Sequence, residues 1–453
     1  MRRTNVRGRG RGFAAMVLAA GVVAVAGATP AAAESIRENQ WHLDAMKASE
    51  VWRVSKGQGV TVAVIDSGFK LDHPDLVGQL LPGKDFSGLP GGVGSFTESH
   101  GTEMAALIVG SGKGMGGSGA YGLAPEAKVL PIKIRNNDNS AGVTGSEFLK
   151  QIGQGIVYAA DQGAKVINVS QARSAASLSA ADLAELKAAV DHAAAKGALV
   201  VAGAGNSAQS GNPVEYPAAS PGVIGVGAVD RNGTVTAESE QGPQVDLAAP
   251  GIEIYNACTG PSGYCKGHGT SDATALVSAS AALLWAVHPD WTANQVARVL
   301  LNTAGKADDG AQRNDALGYG IVRPRVALTE PGDPGPADVY PIQEQPVAQP
   351  APSASAVPSA ATPSASASAA PVPGEAATPV PQQEPVGEKA SGSGSTVPVV
   401  VAVVAGLAVV AAVVVVVVRR RGARPPRQAV AGAVPPPPAY GPPTPPSDNP
   451  YAK

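Results

Sequence analysis

Aromatic residues make up only 4% of this chain, and it has just two cysteines. So few aromatics, with no internal repeat, argue against a sugar-binding adhesin. Two cysteines exclude a small scaffold stapled by several disulfides. Without histidines spaced to join them they do not suggest a zinc site. Basic charge is missing where a nucleic-acid partner would need it. The formal net charge of −2 comes from 34 Lys and Arg against 36 Asp and Glu. Ten of the basic residues sit at the two ends. Arg2, Arg3, Arg7, Arg9 and Arg11 precede the first apolar run, and Arg419, Arg420, Arg421, Arg424 and Arg427 follow the last. The remaining 24 basic residues face all 36 acidic ones, a balance of −12 that disfavours phosphate-backbone binding.

Glycine and proline, by contrast, are plentiful at 55 and 40, and unevenly spread over 453 residues that are 44% hydrophobic. That length holds one large domain, or two ordinary ones with tails. Residues 1–33 read as a secretory signal: arginines, an apolar run over 13–28, and Ala31-Ala32-Ala33 before the expected cleavage site. Residues 397–418 carry no charge, and at 1.5 Å per residue they make about 33 Å of helix, enough to span a bilayer. The arginines that follow place 419–453 in the cytoplasm and the rest outside the cell membrane. Between them, 330–396 collapses to Pro, Ala, Ser, Val, Gln and Glu, the composition of a disordered linker. The tail contains Pro435 to Pro438, a segment of polyproline character.

The folded part is therefore expected over 34–329. Buried-strand patterns at 60–65, 127–134, 165–170, 198–202 and 223–229 alternate with helical ones at 146–162, 178–196, 271–287 and 292–302. That alternation predicts an α/β fold, a parallel sheet with helices on both faces, whose sites lie at the carboxyl ends of strands. Three marked residues occupy such positions. Asp66 ends the run Val62-Ala63-Val64-Ile65, His100 stands in Ser99-His100-Gly101-Thr102, and Asn206 follows Gly203-Ala204-Gly205. A fourth, Ser271, opens a helix after Gly267-His268-Gly269-Thr270, where first-turn N–H groups surround its hydroxyl. Taken singly, each reads as a cap, a turn or a structural histidine.

Taken in order, they resemble the subtilisin-like serine proteases (subtilases), whose triad runs Asp, His, Ser along the chain. The resemblance covers about 41–327. It includes Asp66-Ser67-Gly68, Asp72-His73-Pro74-Asp75-Leu76, His100-Gly101-Thr102, Asn168-Val169-Ser170, Ala249-Pro250-Gly251 and Gly269-Thr270-Ser271. It implies Ser271 as nucleophile, His100 as general base, Asp66 as its orienting carboxylate and Asn206 as oxyanion donor, with a peptide or protein substrate and no metal or cofactor. Signal, peptidase domain, linker, membrane span and basic tail together resemble the mycosins, membrane-anchored subtilases associated with type VII secretion. The rival implication is a subtilase-fold scaffold that stabilises a secretion complex and whose catalysis is incidental.

Some positions depart from the family pattern. Asp272 and Ala275 stand where Met or Phe and Pro are usual, Glu103 and Ala106 where His and Gly are, and Gln171-Ala172 where Leu-Gly is. Export favours a disulfide between Cys258 and Cys265, six residues before Ser271. The segment 34–56, with Trp41, Leu43, Met46, Val51 and Trp52 as apolar anchors, is too short for an inhibitory domain and is expected to clasp the fold.

Overall fold

The computed structural model describes residues 35–135, 143–307 and 311–342. The expected signal segment, membrane span and cytoplasmic tail, and the linker from 343 on, lie outside the described residues.

The described strands are, in chain order, β1 Thr61–Asp66, β2 Lys84–Asp85, β3 Lys128–Lys133, β4 Val166–Val169, β5 Arg173–Ser174, β6 Leu199–Gly203, β7 Glu215–Tyr216, β8 Val223–Val229, β9 Leu247–Pro250, β10 Ile254–Ala257 and β11 Tyr264–Gly267. Seven of them form a parallel sheet in the order β2-β3-β1-β4-β6-β8-β9, while β5 pairs with β7 and β10 with β11 in antiparallel ribbons. Apolar residues fill both faces because both are covered. In β1, Val62 and Val64 join the core under helices His100–Val109 and Thr270–Val287, whereas Ala63 and Ile65 pack with Gly145–Asp161 and Ala180–Ala195. Helix starts follow local chemistry: the Thr144 hydroxyl accepts from the Glu147 N–H, and Ser179 with Asp182 forms a reciprocal capping box.

Chain order places β3 on one side of β1 and β4 on the other, so the connections diverge at β1 and open a crevice beyond the carboxyl ends. The helix Thr270–Val287 runs down from that crevice through the core. It is long and apolar enough to cross a membrane, but 83% of it is buried in the protein. Two of its buried serines are satisfied internally: Ser280 donates to Leu276 O (2.8 Å) and Ser278 to Asn168 Oδ1 (3.0 Å), while Asn168 Nδ2 donates to Ser170 Oγ (3.0 Å).

The amino-terminal segment packs as anchors. Trp41, Leu43, Met46 and Val51 are buried, the Trp41 indole donates to the carbonyls of Ile252 and Glu253 (3.2 and 3.1 Å), and Trp52 donates to Leu123 O (2.9 Å). His42 is fully buried there with neither ring nitrogen partnered, and burial, aided by Arg37 and Arg231, pulls its pKa down to about 3. The Asp72–Leu76 motif is a clamp: buried Asp75 accepts from Gly114 N–H (2.6 Å), Ala120 N–H (3.0 Å) and the Tyr264 hydroxyl (2.8 Å). It thereby pins the β10–β11 ribbon, which the Cys258–Cys265 disulfide also closes.

The packed chain does not stop at 329, where composition places the domain end. Arg298 donates to the carbonyls of Pro334 and Pro336, Thr292 and Asn294 donate to Ala337 O, and Tyr340 donates to Val223 O at the start of β8. A proline-rich strand cannot form a ladder, but its free carbonyls accept side-chain donors. Among the described residues, packing therefore continues past 329 to Ile342, which lies against the core.

Candidate active site

Four segments meet at the carboxyl edge of the sheet. Asp66, the last residue of β1, is fully buried; its Oδ1 accepts from Ser67 N–H (2.7 Å), which fixes the carboxylate. His100 begins the helix His100–Val109, and its Nδ1 lies 2.9 and 3.0 Å from the two Asp66 oxygens. A ring nitrogen so placed donates its proton to the carboxylate, leaving Nε2 as the basic atom. Burial pulls the imidazolium pKa down, but Asp66 overrides it, with Glu98 and Glu103 adding, and the result is about 9.

Ser271 lies in the first turn of Thr270–Val287, on the residue pair after Gly269. Gly269 has φ +120°, and a Cβ there would come 2.8 Å from Asn206 Nδ2, so the turn requires glycine. The Asn206 carbonyl oxygen accepts from both Thr270 N–H (2.8 Å) and Thr270 Oγ (3.1 Å). Its NH2 group is thereby left free of Thr270, and Asn206 lines the same cleft as Ser271, whose first-turn N–H has no partner within its helix. The Ser271 hydroxyl donates to Ser170 O (3.4 Å), while Ser170 Oγ donates to Ser271 O (3.1 Å). No hydrogen bond joins Ser271 to His100 in this arrangement.

His100, Asn206 and Ser271 all line one cleft of about 320 Å³, walled by Ser170–Ala172 and by Gly203 and Gly205. Asp66 lies behind His100, and no described residue of 35–56 reaches the cleft. Sequence reasoning therefore picked out residues that the fold brings together. It also placed Gln171 in the cleft wall, but not in contact with the pair: Gln171 Nε2 donates to Asp66 Oδ1 (3.3 Å) and sits 3.3 Å from His100 Nδ1. Glu98, Glu215 and His268 line the cleft as well, and His268 is held by Glu238 at 2.9 Å. Glu98 and His268 come with the His100 and Ser271 segments as near neighbours in sequence, whereas nothing local marks Glu215, which arrives through the fold.

Glu103 and Asp272 do not line the cleft. They face each other beneath it, where a Cβ on Gly267 would come within 2.8 Å of Asp272 and 3.2 Å of Glu103. Burial, with Glu103 beside it, pushes Asp272 up to about 7; burial likewise raises Glu103, opposed by His100.

The site and sheet have known counterparts. The chain is 34% identical over 265 residues to thermitase of Thermoactinomyces vulgaris, covering 58% of this chain and 86% of that protein. It is 32% identical over 324 residues to fervidolysin of Fervidobacterium pennivorans, covering 66% of this chain but only 45% of that longer protein. Among solved structures, MycP1 from the ESX-1 type VII secretion system superposes with a TM-score of 0.57 at 28% identity, over 66% of this chain and 88% of that one. The Subtilase family model matches residues 57–320, from the turn before β1 to the strand-like segment that closes the sheet edge. The chain belongs to the subtilase family of serine endopeptidases.

Proposed function

We propose that this subtilase hydrolyses peptide bonds with Ser271 as nucleophile, His100 as general base, Asp66 as its orienting carboxylate, and Asn206 with the Ser271 N–H as oxyanion donors. The observation that carries the assignment is the Asp66–His100 pair at 2.9 Å opening into the same cleft as Ser271 and Asn206. A substrate carbonyl seated there displaces the Ser271 hydroxyl from Ser170 O. The hydroxyl then delivers its proton to His100 Nε2 as its oxygen attacks, and Asp66 stabilises the imidazolium. Charge building on the carbonyl oxygen falls between preplaced donors that need no reorganisation. His100 returns the proton to the leaving amine, and water repeats the cycle on the acyl-enzyme.

The full chain fits a cell-membrane protease anchored by 397–418, with its catalytic domain on the extracellular side and 419–453 in the cytoplasm. Likeness to MycP1 from the ESX-1 type VII secretion system supports a role beside such a secretion complex. An active-site fluorophosphonate should label the full chain at Ser271 and leave Ser271→Ala unlabelled. Absence of labelling in folded wild type would refute the catalytic assignment. Comparing proteins secreted by wild-type and Ser271→Ala cells then separates a processing enzyme from a scaffold, since only the enzyme changes the secreted set.

A further inference from the structure

The wall opposite His100 is acidic, and its geometry has a direction. With the scissile carbonyl carbon at Ser271 Oγ and its oxygen toward Asn206, the remaining walls of the cleft open to the side chain on the acyl side (P1) are Ser170–Ala172 and the pair Gly203 and Gly205. The second segment is open there because Gly203 and Gly205 present no side chain. The chain leaving Ala172 becomes β5, whose partner β7 sets Ser174 opposite Glu215, and Glu215 lines the same cleft.

Behind Gly205 lies a second carboxyl. Glu240 is 0% exposed, and neither of its carboxyl oxygens has a hydrogen-bond partner. Both press on the wall itself: a Cβ built on Gly205 would come within 2.5 Å of Oε2 and 2.7 Å of Oε1. A buried carboxyl without donors is costly: burial, with Glu215 adding, pushes Glu240 up to about 8, and a cation at the wall would favour its charged form.

No cation lines the cleft itself. Its described residues include no lysine or arginine, and its two histidines are taken by Asp66 and Glu238. Arg173 stands outside the cleft lining, close enough to oppose the rise that burial causes in Glu215. Its Nη2 donates to Val143 O (3.4 Å) and its guanidinium lies over Phe148 at 5.3 Å.

We propose that the cleft selects substrates with lysine or arginine at P1, Glu215 meeting the charge directly and Glu240 adding to it from behind the Gly205 peptide. This rests on the peptidase reading above and adds a substrate class to it. Ammonium and guanidinium groups fit because they donate several hydrogen bonds and accept none.

The test uses the purified full chain and two fluorogenic peptides that differ only at P1, arginine in one and its uncharged isostere citrulline in the other. Fluorophosphonate labelling of Ser271 runs in parallel. Wild type should cleave the arginine peptide with a kcat/KM at least about 10-fold higher. The ratio should fall toward one in Glu215→Gln and fall partway in Glu240→Gln. Glu215→Lys should instead favour a P1 glutamate peptide, a gain that mere loss of structure cannot produce. Equal rates for arginine and citrulline, or cleavage of neither peptide by a chain that labels, would overturn the proposal and leave the peptidase reading standing. Failure to label would defeat that reading first, and this inference with it.

Discussion

His100 carries the sharpest residue-scale expectation, because a general base works only after losing its proton. Burial alone would lower its pKa, yet the neighbouring carboxylates hold it at about 9. The kcat/KM of the free enzyme should therefore climb through neutral pH and be half-maximal near 9, a limb measured directly from a pH–rate profile. Glu103 is one of the charges that raise it, so Glu103→Gln should move the limb to lower pH. An unmoved limb would mean that Glu103 stays protonated under His100. Asn206→Ala should keep the fold and slow turnover by about 10²–10³-fold, the usual loss for one oxyanion donor. Asp66, His100, Asn206 and Ser271 were legible as candidates in the sequence because each sits in a short motif at a strand or helix end. Glu215 and Glu240 were not, since their meaning depends on β7 lying beside the cleft wall and on Gly205 having no side chain.

At the scale of elements, long apolar runs such as Val62–Ile65 and Val223–Val229 announced their strands, because a parallel sheet buries both faces and needs no alternation. The strand β9 and the β10–β11 ribbon went unread. Leu247–Pro250 ends in proline, and the ribbon's pairing depends on Asp75 gripping Tyr264 from far away in sequence. The contacts beyond 329 went unread for a similar reason, because Arg298 and Tyr340 hold a stretch whose composition alone suggests a linker.

The amino-terminal clasp makes its own prediction. His42 titrates near 3 in the fold and near 6.5 when exposed, so between those values the unfolded chain binds a proton that the folded one does not. Stability should therefore fall as pH drops below about 6.5, by up to about 1.4 kcal/mol per pH unit. A His42→Leu variant should lose less melting temperature between pH 7 and pH 4 than wild type; equal losses would show that His42 is not the group involved. Replacing Cys258 and Cys265 with serine should lower stability by roughly 2–3 kcal/mol in denaturant titration, with the tip of the ribbon still pinned by Asp75.

For the whole molecule, the proposed topology predicts that protease added outside intact cells releases the catalytic domain and leaves a small membrane-bound fragment containing 419–453. An external tag at Glu34 and a protected one at Lys453 are the corresponding labelling results; the reverse pattern would invert the assignment.

Tyr340 docks at the amino end of β8, whereas the cleft opens at the carboxyl ends of the strands. The chain therefore leaves the domain at the pole opposite its mouth. On the proposed topology, residues 343–396 are the tether, so their length limits how far the cleft can stand from the membrane. Shortening this stretch should leave hydrolysis of a small soluble peptide untouched while altering which large, assembled substrates are cut. Tether length would then sort substrates by size, independent of any residue in the cleft.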